Sequence, residues 1–210
     1  MLAPGMKFVN LADNSLSNIQ VLDHFVDVER LLLVDRIRYD SATFGPGLQL
    51  SGSVAGDGRW DTALRAKPKS VGDWTMVAGA SYQNKPFKGF DHRYDAGLSV
   101  RHDPTGLNLT IAGSKEQLAA GRHAYGYVIK AGWLADLLSI GKTAFSLDYY
   151  SVSDLRVAGD EAESYGLFAV QKWPAYGLDI YAGYRRYMVD RPDVALGDLD
   201  IYVVGVGFNF

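Results

Sequence analysis

The sequence predicts an all-β protein, an antiparallel up-and-down β-barrel whose strands cross a membrane. Three observations support this prediction. Apolar and polar residues alternate from Leu33 onward, in runs of roughly 8 to 12 residues. Short turn sequences and longer polar links separate these runs in alternation. Tyr and Trp residues stand near the ends of several apolar faces, where a membrane barrel has its aromatic girdles.

The segment Arg93–Arg101 shows the alternation most clearly. One face carries apolar side chains and the other carries charged or small ones: Tyr94, Ala96, Leu98 and Val100 against Arg93, Asp95, Gly97, Ser99 and Arg101. A strand separates these two sets because its successive side chains point to opposite faces. On a helix the same residues would place charge all around the axis.

Eleven such runs follow one another, and each is predicted to be a strand. They span 33–39, 46–55, 58–67, 73–82, 93–102, 106–114, 123–134, 141–150, 163–173, 177–188 and 198–210. The run 163–173 leaves its two faces ambiguous, because Phe168 and Val170 fall on the same side as Lys172.

The links between the runs predict a meander with one plain rim and one loop-rich rim. Asp103–Gly106 and Pro174–Gly177 are tight-turn sequences with Pro and Gly at favourable positions. The longer polar links are 84–92, 115–122, 151–163 and 189–197. Gly56–Gly58 is an exception, since it is short where the alternation requires a long link.

The composition excludes several classes of protein. A content of 13 Tyr and 9 Phe argues against disorder, and a net charge of −3 gives no basic field for nucleic acid. With no cysteine, thiol catalysis and thiolate metal sites are excluded. No run of about 18 apolar residues predicts a membrane-spanning helix, but barrel strands give only a weak hydropathy signal. Met1–Asn10 has no secretory signal pattern.

Alternation alone also fits a soluble barrel with an apolar interior. Two features favour the membrane barrel. The opposite faces are rich in Gly, Ser and paired charges, as a wet interior requires. The aromatic residues of the apolar faces lie near the run ends, at Trp74, Tyr82, Tyr125, Trp133, Tyr149 and Tyr184.

Three segments resemble known outer-membrane proteins. The last run is apolar at alternate positions up to a terminal phenylalanine and resembles the outer-membrane β-signal, with Tyr202, Val204, Val206, Phe208 and Phe210. The segment 35–44, followed by 47–51, resembles the chain after the constriction loop of Gram-negative porins, with Ala42 where Pro is usual. The segment 181–187 resembles their penultimate strand.

The resemblance implies a 16-stranded general-diffusion porin of the outer membrane whose constriction loop joins strands five and six. Eleven strands are those that follow this loop, so residues 1–32 resemble the loop and 33–210 the barrel. The first five strands and the signal peptide are then absent from the sequence. The resemblance also implies a homotrimer, contacts with lipid and the barrel-assembly machinery, and passive diffusion of ions and small hydrophilic solutes. We expect no enzymatic activity, cofactor, metal or nucleic-acid partner.

In the porin family an acidic loop faces a basic cluster across the pore, and charged rings of this kind set ion selectivity. The corresponding acidic residues here are Asp13, Asp23, Asp27 and Glu29. The basic residues on polar faces are Arg36, Arg38, Arg59, Arg65, Arg93, Arg101, Lys130 and Arg185. Each of these residues also has a simpler interpretation as a salt-bridge partner without a role in selectivity.

Two other functions fit the alternation. One is a complete small outer-membrane barrel that serves as an adhesin, an anchor or an enzyme, for which residues 1–32 would have to supply a strand. The other is a soluble ligand-binding barrel of lipocalin type.

Acidic groups at Asp190 with Asp193, or at Asp160 with Glu161 and Glu163, fit a solvated loop better than a calcium site.

Overall fold

The computed structural model describes residues 6–24, 35–67, 70–84, 90–118 and 121–209. The elements of the N-terminal part are β1 (Lys7–Val9), β2 (Leu16–Gln20) and a helical turn, α1 (Val21–His24). The strands that follow are β3 (Arg36–Asp40), β4 (Leu48–Ala55), β5 (Trp60–Ala66), β6 (Trp74–Asn84), β7 (Phe90–His102), β8 (Leu107–Leu118), β9 (His123–Leu138), β10 (Gly141–Ser153), β11 (Glu161–Trp173), β12 (Leu178–Asp190) and β13 (Leu199–Phe208). A 3-10 turn, Pro174–Tyr176, joins β11 to β12.

Strands β3 to β13 form one antiparallel sheet in which each strand pairs with its neighbours in sequence. This order confirms the predicted up-and-down meander of eleven strands. Within the described ranges β3 and β13 are the two edges, and the sheet is open between them. The short link 56–59 between β4 and β5 is present as the sequence indicates, with Gly58 at φ 81°.

The registers place apolar side chains beside apolar side chains across many strands. Leu98 pairs with Ala78 on one side and Ile111 on the other, and Ile111 pairs with Ile129. Ile129 in turn pairs with Tyr149. A shift of one residue in any of these pairs would turn a whole strand over, so the apolar face fixes the register.

Several strands are longer than the alternation predicts. Strand β8 continues to Leu118 instead of ending at 114, and β10 continues to Ser153 instead of 150. The links 115–122 and 151–163 are correspondingly shorter than predicted. The alternation marks only the residues at the height of the apolar face. Backbone pairing continues beyond that height, as in the pair Gln117 and His123.

Residues 6–24 form a separate hairpin that we call the N-terminal hairpin. Strands β1 and β2 pair with each other and not with the main sheet. Two backbone hydrogen bonds, each 2.9 Å, join the hairpin to the link between β12 and β13 and form the bridge between Asn10 and Leu196. They run from the Leu11 amide to the Ala195 carbonyl and from the Gly197 amide to the Val9 carbonyl. The hairpin therefore lies at the loop-rich end of the sheet.

Candidate functional site

The two faces of the main sheet differ in chemistry. The apolar face carries Leu98, Ile111, Ile129 and Leu147, which are 41–57% exposed. The opposite face, called the polar face from here on, carries Arg93 with only 3% exposure. A soluble barrel of lipocalin type requires the reverse, with the apolar face buried inside.

The sheet curves towards its polar face. A cavity of about 480 Å³ lies against this face and is lined by residues from six consecutive strands, β6 to β11. Side chains from strands that are not neighbours also meet there. The Arg185 guanidinium on β12 lies 2.5 Å from the Asp148 carboxylate on β10, across the intervening strand. The polar face is therefore the inner face of the curved sheet.

On β3 and its neighbours two arginines are held by carboxylates. The Arg36 guanidinium lies 2.8 Å from the Asp61 carboxylate. Arg38 donates from Nε at 3.1 Å and from Nη2 at 2.8 Å to the same oxygen of Asp40. The Ser51 hydroxyl donates to Asp40 at 2.5 Å. Both predicted basic residues thus belong to a hydrogen-bonded network on the wall.

Arg93 is the most buried cation of the predicted set. Its guanidinium lies 2.7 Å from Asp95 and 3.0 Å from Glu116, whose side chains are 11% and 6% exposed. Two carboxylates therefore surround one arginine where little water reaches them. Such a group is costly to break, because removal of the cation leaves buried negative charge.

Arg185 fills the wall between β10 and β12. Besides the ion pair with Asp148, it donates to the Ser164 hydroxyl at 2.9 Å, and its guanidinium lies 5.3 Å from the Phe168 ring centre. Gly166 makes the reach possible, because a Cβ there would lie 2.7 Å from Arg185 Nη2. The glycine on β11 leaves room for a side chain that bridges the two neighbouring strands.

Two predicted basic residues lie at the ends of the wall. Arg101 lies 2.7 Å from Asp103 at the turn end, and Arg59 pairs with Asp57 in the short link at the other end. Hydrogen bonds from Thr75 and Arg101 hold the pKa of Asp103 below its usual value. The hydrogen bond from Arg59 lowers the pKa of Asp57 in the same way. All four groups are partly exposed, so each pair stabilises the fold only weakly.

Arg65 and Lys130 differ from the other predicted basic residues. Both are exposed on the polar face, and within the described ranges neither has an ion pair or a side-chain hydrogen bond. Lys130 lies opposite Asp148 in the register of β9 and β10, but Asp148 is bound to Arg185. Lys130 therefore presents uncompensated positive charge to the interior, whereas Arg65 lies within electrostatic reach of the Asp40 carboxylate.

The N-terminal hairpin packs on the polar face near its loop-rich end. Phe8 and Val21 are fully buried against Tyr187, Val189 and Ala162. The register places Tyr187 two residues from Arg185 on the same face of β12. The hairpin thus covers part of the inner face near its loop-rich end, and the assignment of residues 1–32 as a constriction loop stays a prediction.

A buried pair joins α1 to the link before β11. The His24 Nε2 atom lies 3.4 Å from Asp160 Oδ2, and the two side chains are 1% and 2% exposed. The backbone amides of Arg156 and Val157 also donate to Asp160. Burial raises the pKa of Asp160, but the neighbouring His24 ring and the hydrogen bonds from these amides outweigh it and leave the pKa below its usual value.

The predicted acidic residues of this segment are only partly within the described chain. Asp13 lies exposed at the tip of the hairpin, where the amide and hydroxyl of Ser15 lower its pKa. Asp23 lies in α1. Asp27 and Glu29 lie outside the described residues. Which carboxylates face the basic wall therefore stays a prediction.

Aromatic rings form two bands on the apolar face. Tyr82 contacts Tyr94 with ring centres 5.1 Å apart, and Tyr184 contacts Tyr202 at 5.0 Å. Near the turn end, Trp133 stacks on Phe145 at 6.0 Å, and its indole donates to the Thr105 carbonyl at 3.1 Å. Aromatic rings that carry a polar group and lie towards both ends of the strands are typical of a sheet that meets two membrane interfaces.

A sequence model of Gram-negative porins matches residues 32–192. The chain belongs to the Gram-negative porin family. None of the curated proteins and none of the solved structures compared with this porin matches it. The family assignment therefore rests on the sequence match and on the eleven-stranded sheet with its polar inner face.

The apolar residues of the last strand of this porin share one face, and their role as an assembly signal stays a prediction. The apolar side chains of β13 point to the apolar face and are exposed: Tyr202, Val204, Val206 and Phe208. Phe210 lies outside the described residues. In the described ranges no helix has the length and apolar character that crossing a membrane requires.

Sequence reasoning missed the carboxylates that neutralise the porin's arginines. Asp40 follows Arg38 by two residues, and Asp95 and Asp103 follow Arg93 and Arg101 in the same way. Because residues i and i+2 share a strand face, this spacing could have identified the pairs. Glu116 comes from the neighbouring strand and Asp148 from the second strand away, so only the register shows them.

Proposed function

We propose that this porin forms a water-filled outer-membrane channel for passive diffusion of ions and small hydrophilic solutes, and that it is not an enzyme. One observation carries the proposal, namely the division of the sheet into an exposed apolar face and a charged inner face. Lipid suits the first face and a water column suits the second. Ion pairs along the inner wall, such as Arg93 with Glu116, create a transverse field that orients dipolar solutes.

A conductance measurement tests the channel. The protein is expressed from its entire gene, purified from outer membranes in detergent and added to planar lipid bilayers in KCl. We expect stepwise conductance increases that grow with salt concentration. Folded protein, recognised by its heat-dependent mobility on gels, that inserts without any conductance would contradict the proposal.

We further propose that residues 1–32 narrow the channel and that its acidic side chains favour cations. The packing of Phe8 and Val21 on the inner wall supports this placement. The register of β13, with its alternating exposed residues, supports recognition by the barrel-assembly machinery. A homotrimer is proposed from the family resemblance.

Neutralising Asp23, Asp27 and Glu29 together is expected to lower the channel's preference for cations. In the constriction that we propose, three negative charges would attract cations, and their loss would leave the basic wall unopposed. The reversal potential under a KCl gradient measures this preference. A matched control is Asp193→Asn, since Asp193 lies on an outer loop and binds Arg191 at 2.7 Å. A reversal potential unchanged by the triple substitution would show that this segment does not form the constriction.

A further inference from the structure

One row of paired residues on the inner wall carries an excess positive charge. The register aligns Thr110, Lys130, Asp148, Gly166 and Arg185 in a row across β8 to β12. Arg185 and Asp148 neutralise each other at 2.5 Å. Lys130 is left as the uncompensated cation of this row. Polar groups lie beside it, including the hydroxyls of Ser99 and Thr110, which are hydrogen-bonded at 2.8 Å.

The two rows nearer the turn end of the wall are largely uncharged. The first contains Gly132, Ser146, Phe168 and Gly183, which are partners across β9 to β12. The second contains Leu134, Ala144, Val170 and Tyr181 in the same order. A diffusion channel does not require an apolar row on its inner face, because exposure of apolar side chains to water is unfavourable. This surface is therefore suited to an apolar part of a solute.

Phe168 lies flat along the wall. A Cβ at Gly183 would lie 2.1 Å from its ring, and one at Gly166 would lie 2.6 Å from it. The two glycines thus form the floor on which the ring rests. Arg185 contacts the ring at its loop-rich side. The ring is partly exposed and lines the cavity next to Val170.

Lys130 and Phe168 line the same cavity of about 480 Å³. This volume falls in the range of small-molecule sites, roughly 300–1,000 Å³. The described lining contains hydroxyl groups, apolar side chains, Lys130 and Arg101, but no aspartate or glutamate. A cation, an apolar surface and the absence of acidic groups together select a ligand that is negatively charged at one end and apolar at the other.

We propose that this wall binds small amphipathic organic anions, with the carboxylate at Lys130 and the apolar part against Phe168 and Val170. The proposal rests on the proposed channel function and names a solute class for it. Binding retains such anions at this part of the wall during passage. The ion pair between Arg185 and Asp148 neutralises the other charges of this row and leaves the charge of the site to Lys130.

Benzoate is the test probe because it joins one carboxylate to one ring. In single-channel recordings in KCl, benzoate is expected to reduce the current at lower concentration than acetate, which lacks the ring, or benzamide, which lacks the charge. Lys130→Gln and Phe168→Ala should each raise the benzoate concentration for half-block about tenfold, since each removes one anchoring contact. Lys130→Arg should retain the block.

Arg65→Gln is the matched control, because it removes an unpaired cation of the same wall on a distant strand and should leave the benzoate block unchanged. An equal benzoate concentration for half-block in wild type and Lys130→Gln, or equal block by benzoate and acetate, overturns the proposal.

Calorimetric titration of the detergent-solubilised protein with benzoate tests the binding site separately from the channel function. Binding without channels refutes the channel alone, whereas channels without benzoate binding refute the binding site.

Discussion

Replacement of Arg93 with alanine is expected to lower the free energy of unfolding by about 3–5 kcal/mol. The substitution leaves the carboxylates of Asp95 and Glu116 buried on the polar face without their cation. Neither carboxylate can become hydrated without disturbing the sheet, and the repulsion between the two negative charges lowers the stability further. Urea unfolding of the protein in detergent or lipid vesicles, followed by tryptophan fluorescence, measures the change.

Arg101→Ala provides the control for this prediction. It breaks the same type of pair, with Asp103 at 2.7 Å, but both side chains are more than a third exposed. The expected loss is at most about 1 kcal/mol. Adding Glu116→Gln to Arg93→Ala should recover part of the stability, because it removes one stranded charge. Equal losses for the two arginine variants would contradict the buried-network interpretation.

Gly106→Ala is expected to cost about 3 kcal/mol of stability or more. Gly106 ends the tight turn before β8 with φ 71°, a left-handed conformation that costs an L-residue roughly 1–2 kcal/mol. A Cβ there would also lie 1.9 Å from the Leu134 carbonyl oxygen. That atom belongs to the backbone of β9 and cannot rotate away. The Gly106 carbonyl accepts a hydrogen bond from the Leu134 amide, so relief of the clash weakens the pairing of the two strands.

Gly58→Ala separates the two causes. Gly58 also has a positive φ, 81°, but a Cβ there has nothing within 4 Å. Its loss should therefore be close to the backbone cost alone, roughly 1–2 kcal/mol. The same urea unfolding measurement applies to both variants. If Gly58→Ala proved as damaging as Gly106→Ala, the contact with Leu134 would not be the cause.

The sheet could be predicted from the sequence because each of its residues follows a local rule. Side chains such as Leu98 and Val100 alternate with Ser99 and Arg101, and the alternation fixes both the strand and its faces. The strand ends were less predictable. Beyond the apolar face, pairs such as Gln117 with His123 depend on backbone hydrogen bonds, which no residue type specifies.

The chemistry of the wall depends on register and was only partly predictable. The sequence left the face of Phe168 ambiguous. Its pairing with Gly183 in the register of β11 and β12 assigns it to the polar face. Lys130 looked equivalent to the predicted arginines, but Asp148 opposite it binds Arg185 instead. Whether Asp148 binds Lys130 or Arg185 depends on the positions of several strands at once. The spacing of residues in the sequence does not specify these positions.

The lengths of β4 and β5 have a consequence for the surrounding lipid. These strands have 8 and 7 residues, whereas β9 has 16. At about 3.3 Å per residue and a tilt near 45°, eight residues rise only about 19 Å, less than the apolar band of roughly 25 Å on the outside of a transmembrane barrel. Hydrophobic mismatch follows on this flank. Either the membrane thins towards β4 and β5, or a neighbouring protein surface replaces the acyl chains there.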